Sequence, residues 1–382
     1  MSKIRYAALA VMMAGLFAAL GGAEEPARKV APASKQWDDT VDKAVAYFRK
    51  TQAADGTWGG KQSMGVTGLA LTALLQSGKV AGTDPAAEKA LKYIESLINP
   101  KAGHIAGKDP RAQLQNYVTS INVLALTTAN RDSYKTVIAD AAKFLKNLQW
   151  DEGEGKTPKD DFYGGAGYDS KSRPDLSNTQ LFLDALVAAG VPKDDPAFKK
   201  ATLFVTRCQN LKGEGNDQAW ADKKNDGTFI YSPASGGTTK VQDEPSADGA
   251  LPGYGSMTYA GVKSLIYCGV SKDDPRVKKA FEWIQKNYTL DYNPGMPEER
   301  KHWGLYYYYH TMAKCLDVLG VDELVDVAGK KHDWRAELTA ALAQRQRADG
   351  SWVNDQDKWM EGDPQLVTAY ALMTLSYCKP KK

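Results

Sequence analysis

Apolar residues recur along the chain in two alternating rhythms. Six segments place them at offsets 0, 3 and 4, and three of the six at offset 7 as well, the single stripe of an amphipathic helix: AVAYFRKTQ (44–52), ALKYIESLI (90–98), AAKFLKNLQ (141–149), ATLFVTRCQ (201–209), AFEWIQKNY (280–288) and LTAALAQRQ (338–346). Five open with Ala and four close with Gln. An aromatic stands three residues in at Tyr47, Tyr93, Phe144, Phe204 and Trp283.

Each is followed by a loop and a more apolar segment: GVTGLALTALLQSG (65–78), YVTSINVLALTTAN (117–130), SNTQLFLDALVAAG (177–190), SMTYAGVKSLIYCG (256–269), YYYHTMAKCLDVLG (307–320) and LVTAYALMTLSYCK (366–379). Their third residue is Thr67, Thr119, Thr179, Thr258, Tyr309 or Thr368, and their tenth is always Leu. Gly or Asn closes five of them, the expected left-handed stop. Asp84-Pro85, Asp195-Pro196 and Asp274-Pro275 then start the next amphipathic helix. The pattern predicts an all-α chain of twelve helices in six hairpins. A helix that is apolar all round is buried all round, so the second type forms an inner layer. Six pairs without a polar capping repeat favour a closed (α/α)6 toroid over an open solenoid, with parallel inner helices around a cavity.

Two amphipathic segments run into Gln52-AAD-Gly56-Thr57-Trp58 and Gln346-RAD-Gly350-Ser351-Trp352. These resemble the QW repeats of squalene and oxidosqualene cyclases, and Gln149 and Gln209 open related segments without the Gly-x-Trp. The resemblance spans residues 37–379 and implies the terpenoid-cyclase and protein-prenyltransferase toroid, a fold that also hosts thioester domains and lyases. It implies that Gln caps the outer helix's free carbonyls while Trp packs beneath it.

The resemblance also names catalytic positions to check. Squalene-hopene-type cyclases use an Asp acid in a DxDDT motif. The best match, Asp175-Leu176-Ser177-Asn178-Thr179, puts Ser177 at the acid position, and Ser cannot protonate an alkene. Asp175, after Arg173-Pro174, reads as an N-cap. Prenyltransferases hold zinc with Asp and Cys on one inner helix and His on the next. Tyr309-His310-Thr311 resembles the His-bearing helix, but the Asp and Cys positions fall on Ser256 and Thr258. With one ligand of three, no zinc is expected. No Cys-Gly-Glu-Gln quartet and no cofactor motif is present.

The remaining chemistry gathers at the predicted cavity mouth. His302-Trp303-Gly304-Leu305 leads into Tyr306-Tyr307-Tyr308-Tyr309-His310. Four consecutive residues wrap around a helix, so at most two of these tyrosines face the cavity. They either pack with hydroxyls bonded to loops or line an aromatic pocket with an imidazole at its floor, extended by Tyr254 and Tyr259. Asp184, Lys263 and Lys314 share one register, two turns deeper than Ser177, Ser256 and Tyr307. They form either a structural salt bridge or an anion site. Residues 213–254 form a long insertion anchored by Trp220, Phe229 and Tyr231, as a lid or mobile segment would be. Its Asp243, Glu244 and Asp248 offer acid/base groups, or a solvated acidic loop.

Three functions follow. The first is binding of a small molecule, glycan or protein at the mouth, without family-type catalysis. The second is a polysaccharide lyase or hydrolase, with Tyr309 and His310 or His302 moving a proton and Trp58, Trp220, Trp303 and Trp359 rimming the mouth. The third is a divergent isoprenoid cyclase with Asp248 or Asp243 as acid.

Composition narrows partners and location. Nine Trp and 19 Tyr exclude a disordered chain. Without Lys3 and Arg5 the 49 basic residues fall to 47 against 46 acidic ones, and no basic block stands out, so nucleic acid is not a partner. Lys3 and Arg5 precede an apolar run, residues 6–20, that ends at Gly21-Gly22-Ala23. Residues 1–23 read as a secretory signal peptide, too short at about 15 apolar residues for a stable membrane span, which needs roughly 20. Residues 24–36 read as a tether rich in Pro, Ala and charge, and the mature protein as periplasmic or extracellular. Four Cys are too few for a disulfide scaffold; Cys268 and Cys315 are the one pair placed to meet.

Overall fold

The computed structural model describes residues 32–109 and 114–380. The expected signal peptide and the first part of the tether lie outside the described residues, and the first helix already starts at Pro32. In chain order the helices are α1 (Pro32–Thr51), α2 (Ser63–Gln76), α3 (Pro85–Ser96), α4 (Gln115–Ala129), α5 (Lys135–Lys146), α6 (Leu176–Ala188), α7 (Pro196–Arg207), α8 (Ala221–Lys224), α9 (Gly255–Tyr267), α10 (Pro275–Lys286), α11 (Leu305–Val318), α12 (Trp334–Arg345) and α13 (Pro364–Tyr377). A two-stranded hairpin, Leu324–Val325 with Lys331–His332, precedes α12.

The inner helices close a ring. α2 packs on α4, α4 on α6, α6 on α9, α9 on α11, α11 on α13, and α13 returns to α2. α1, α3, α5, α7, α10 and α12 form the outer layer, and α1 meets α12 where the layer closes. Asp84, Asp195 and Asp274 cap α3, α7 and α10 by accepting the amide N–H of Ala86, Ala197 and Arg276, with Pro at the first helical position. The toroid predicted from the hydrophobic pattern is the fold.

Side chains at repeated positions tie each hairpin to the next. Thr67, Thr119, Thr179, Thr258 and Thr368 accept the backbone N–H of Trp58, Ile105, Ala166, Phe229 and Trp352 at 3.0–3.3 Å. Each bond fixes the loop arriving from the outer helix onto the inner one. Gln52, Gln149, Gln209 and Gln346 donate to the carbonyls of Ala86, Ala197, Arg276 and Thr40, all on the next outer helix. It is the Trp that caps the preceding outer helix: Trp58 Nε1 donates to Phe48 O at 3.0 Å, and Trp352 Nε1 to Leu342 O at 2.8 Å. Trp packs buried beneath the helix as expected, but the cap expected of Gln is made by Trp as well. Gln reaches forward because its amide can span the gap to a neighbouring repeat.

The 213–254 insertion is packed rather than loose. Trp220, Phe229, Ile230, Leu251 and Tyr254 are buried, and bridges join Gln209 to Phe229 and Ser232 to Thr238. Among the described residues no helix is long and apolar enough to cross a membrane.

Candidate ligand cavity

The N-terminal ends of all six inner helices open into one cavity of about 640 Å³. Its walls differ by repeat. α2, α4 and the residue before α4 present Met64, Val66, Leu69, Leu114, Val118 and Ile121. The facing wall carries Asp175 and Ser177 from α6 and its cap, Tyr254 and Ser256 from α9 and its cap, and Tyr307 from α11. The insertion adds Tyr231 and Lys240 to that polar side. Trp359 and Met360 stand at the rim, about two-fifths exposed, both with left-handed backbone (φ 56° and 68°). Gly304 faces them, and a Cβ there would come within 2.9 Å of the Trp359 ring.

Of the four consecutive tyrosines, Tyr307 alone reaches the cavity. Its hydroxyl lies 3.0 Å from Ser177 Oγ and accepts from Gln180 Nε2 at 3.0 Å. The Tyr308 hydroxyl donates to Thr289 O at 2.8 Å and that of Tyr309 to Leu290 O. Tyr306 packs edge-on against Tyr309 at 5.8 Å, and Tyr259 lies tilted against Tyr308 at 5.8 Å. Tyr306, Tyr259 and Tyr309 are therefore core residues outside the cavity, because about 100° of turn per residue aims successive side chains in different directions.

His310 sits below the floor. It borders a small chamber of about 20 Å³ with Gln180, Asp184, Tyr307 and Tyr370, and its ring stacks on Tyr370 at 6.0 Å. Burial, with Lys314 and Lys263 nearby, pushes the imidazole down to about 3, so it is neutral. Its Nδ1 has no hydrogen-bond partner among the described residues.

Asp184, Lys263 and Lys314 meet beneath the cavity without lining it. Asp184 accepts from Lys263 at 2.7 and 2.8 Å and pairs with Lys314 at 2.9 Å, joining α6, α9 and α11. Lys263 also donates to Gln180 Oε1. Burial pulls Lys263 down to about 8 against the pull of Asp184. Burial also favours neutral Lys314 and neutral Asp184, but their mutual attraction outweighs it: Lys314 is raised and Asp184 lowered. Of the two readings of this register, the geometry is that of a paired salt bridge.

Two buried carboxyls face the cavity. Asp175 caps α6, accepting from Asn178 N and Asn178 Nδ2 at 2.8 Å each, and burial raises it above the usual carboxylate range. Glu361 accepts from Tyr307 N at 2.8 Å, Tyr306 N at 3.3 Å and Asn354 Nδ2 at 2.7 Å, which caps α11. Burial still pushes it up to about 7. Sequence reasoning missed Glu361, Tyr117, Tyr168, Tyr370, Arg173 and Lys240, all of which line the cavity. Glu361 lies in a loop with no periodicity to mark it. Tyr117 and Tyr370 sat in plain view near the start of inner helices.

The other candidates lie elsewhere. Asp243 is exposed and pairs with Arg300 at 2.6 Å, and Asp248 closes a turn by accepting from Ala250 N at 3.0 Å. The His302 carbonyl accepts from Asn354 Nδ2 at 2.7 Å, and its ring is not in the cavity wall. Trp303 stands behind the rim, edge-on to Trp359 at 5.9 Å. Trp58 and Trp220 are core residues, not rim. All four cysteines, Cys268 and Cys315 included, are free. Among the described residues no group of three His, Cys, Asp or Glu could hold a metal ion.

No family model matches the chain, and no curated protein matches it. Solved structures do. A variant of the type II terpene cyclase MstE from Scytonema, without ligand, matches with a TM-score of 0.57 and 14% identity, over 91% of this chain and 98% of that one. Another MstE variant, in complex with geranylgeranyl dihydroxybenzoate as substrate, gives 0.52 and 15% over 91% and 98%. A glycosyl hydrolase family 88 protein from Bacteroides vulgatus gives 0.51 and 12% over 91% and 98%. At these identities the likeness is one of fold, and the fold is the α/α toroid.

Proposed function

We propose that this toroid is an exported protein that binds a small amphipathic molecule in its central cavity. The division of the cavity wall carries the reading. The α2–α4 wall is mainly apolar, with Tyr117 its one tyrosine, and the opposite wall is mainly polar, with the tyrosines Tyr254 and Tyr307, Ser177, Ser256 and Asp175 from α6, α9 and α11 and their caps beside Met257. An apolar body against the first wall and a polar end against the second would each find its complement. Lys3, Arg5 and the short apolar run support export. Ser177 at the position of a cyclase acid supports binding without cyclase-type turnover.

A glycan lyase or hydrolase is less well supported. The Tyr309 hydroxyl is spent on Leu290 O, His310 is held neutral below the floor, and the rim keeps Trp359 but not Trp58 or Trp220. A divergent cyclase has one observation in its favour. Asp175, a carboxyl that burial raises above the usual carboxylate range, stands in the wall of a cavity that several tyrosines also line. Neither Asp243 nor Asp248 supplies that acid.

Melting of the protein with a long-chain alcohol such as farnesol, and with neutral and acidic oligosaccharides, separates these readings. Farnesol raises the midpoint, by about 2.7 kcal/mol of stability at a hundredfold excess over the dissociation constant. Ile121→Trp, which fills the apolar side, abolishes the shift. A shift with oligosaccharides and none with farnesol would overturn the proposal. Turnover of farnesol-type chains that is lost in Asp175→Asn would favour the cyclase.

A further inference from the structure

Three cations on the cavity wall, Lys61, Arg173 and Lys240, make no ion pair among the described residues. Elsewhere on the molecule Arg276, Arg300 and Arg335 each grip a carboxylate. Arg173 and Lys240 differ from Lys61 in being held in place. Arg173 precedes Pro174 and Asp175 at the cap of α6, and the insertion is sewn to that cap. Ser232 Oγ donates to Pro174 O at 2.6 Å, and Leu176 N donates to Tyr231 O at 2.8 Å. Tyr231 N donates to Thr238 O at 3.0 Å. The turn so formed returns Lys240 to the wall, its ammonium 4.2 Å from the Tyr231 ring centroid.

The result is two cations on the polar side of the cavity, only partly exposed, neither in an ion pair with a carboxylate among the described residues. Burial first, then the charge of Arg173, lowers the pKa of Lys240. The buried carboxyl of Asp175, two residues along from Arg173, is felt by both cations but is engaged by Asn178, and burial raises it above the usual carboxylate range. Half-buried, unpaired cations are costly unless something pairs with them. The inner-helix N-termini around the cavity add a field of the same sign. A guanidinium also presents a planar fork that fits the two oxygens of an oxyanion.

We propose that Arg173 and Lys240 form a head-group subsite for an oxyanion, a carboxylate or phosphate, carried on the apolar body that the α2–α4 wall accepts. This rests on the amphiphile reading above. It makes the insertion the specificity element of the toroid, since Lys240 belongs to it and Arg173 is positioned by it.

Calorimetric titration of the full chain with dodecanol, dodecanoate and dodecyl phosphate, each below its micelle concentration, tests this. At least one anion binds about tenfold more tightly than dodecanol, and the tighter of the two names the head group. Its advantage shrinks as salt is raised. In Arg173→Gln/Lys240→Gln the advantage is gone and dodecanol affinity is unchanged; Lys240→Gln alone gives a partial loss and serves if the double variant does not fold. Equal binding of all three probes to the unaltered protein would overturn the subsite and leave the amphiphile reading standing. So would a folded double variant that keeps the anion preference. Failure of all three probes to bind would overturn both.

Discussion

Asp184 answers two lysines at once, and among the described residues neither pairs with another carboxylate. Lys263 and Lys314 reach it from α9 and α11 at 2.7–2.9 Å, inside a core where all three are buried. Removing the shared anion leaves two buried ammonium groups facing each other. Asp184→Ala is therefore expected to cost about 3–5 kcal/mol in urea unfolding, whereas Lys263→Met leaves the Asp184–Lys314 pair intact and costs less. His310 adds a pH dependence of known sign. Its folded pKa, near 3, lies below the ordinary 6.5, so the unfolded chain binds more protons between those values. The stability this residue contributes is full above pH 6.5 and is lost as pH falls toward 3. Relative to His310→Phe, the unaltered protein should lose at most about 1.4 kcal/mol per pH unit through that window. Parallel denaturant series at several pH values would read the difference. At this scale the sequence was only half legible. The register of Asp184, Lys263 and Lys314 could be counted from the helix ends, but whether they pointed at the cavity or at one another could not. That depends on the tilt of each inner helix.

The hairpins repeat, and so do the small devices that join them. The alternation of amphipathic and apolar segments, and the Thr at one register of five inner helices, were both visible as periodicity. What that Thr bonds to was not, because its partner is a backbone N–H in a loop of variable length. The forward reach of Gln was hidden for the same reason: its acceptor lies on the next repeat. Gly350 shows how tightly these repeats approach. Its φ is +89°, and a Cβ would meet the Lys43 carbonyl oxygen at 2.3 Å, on the outer helix that closes the ring. Gly350→Ala is expected to cost more than about 1 kcal/mol, since both the backbone conformation and the space refuse a side chain. Gly190→Ala is the control. That glycine also has positive φ, but nothing lies within 4 Å of its would-be Cβ. A thermal midpoint much lower for Gly350→Ala than for Gly190→Ala would isolate the contribution of close packing between repeats. The N-terminal boundary illustrates a different limit. Residues 32–36 read as tether by composition, yet they form the first turns of α1, because a Pro near the start of a helix is tolerated and the following helix is anchored by Trp37.

Closing the ring brings six helix starts from distant parts of the sequence to one opening. No single stretch of sequence contains the cavity. Its apolar wall comes from the first two hairpins, its polar wall from the next three, and its two fixed cations from the α6 cap and the insertion. The toroid was legible because every repeat restates it. The cavity was not, because its character arises from differences among repeats that a shared pattern averages away. Glu361 is the clearest case: a loop carboxylate that caps α11 and faces the cavity, with nothing in its neighbours to announce it. A crystal structure of the protein with bound dodecanoate would show directly whether the cavity holds an amphiphile with its head group on the two cations. The hydrocarbon chain is expected along Leu69 and Ile121, with the carboxylate between Arg173 and Lys240. Dodecanoate lying with its carboxylate on the α2–α4 wall, or bound only outside a cavity that stays empty at saturating ligand, would contradict it.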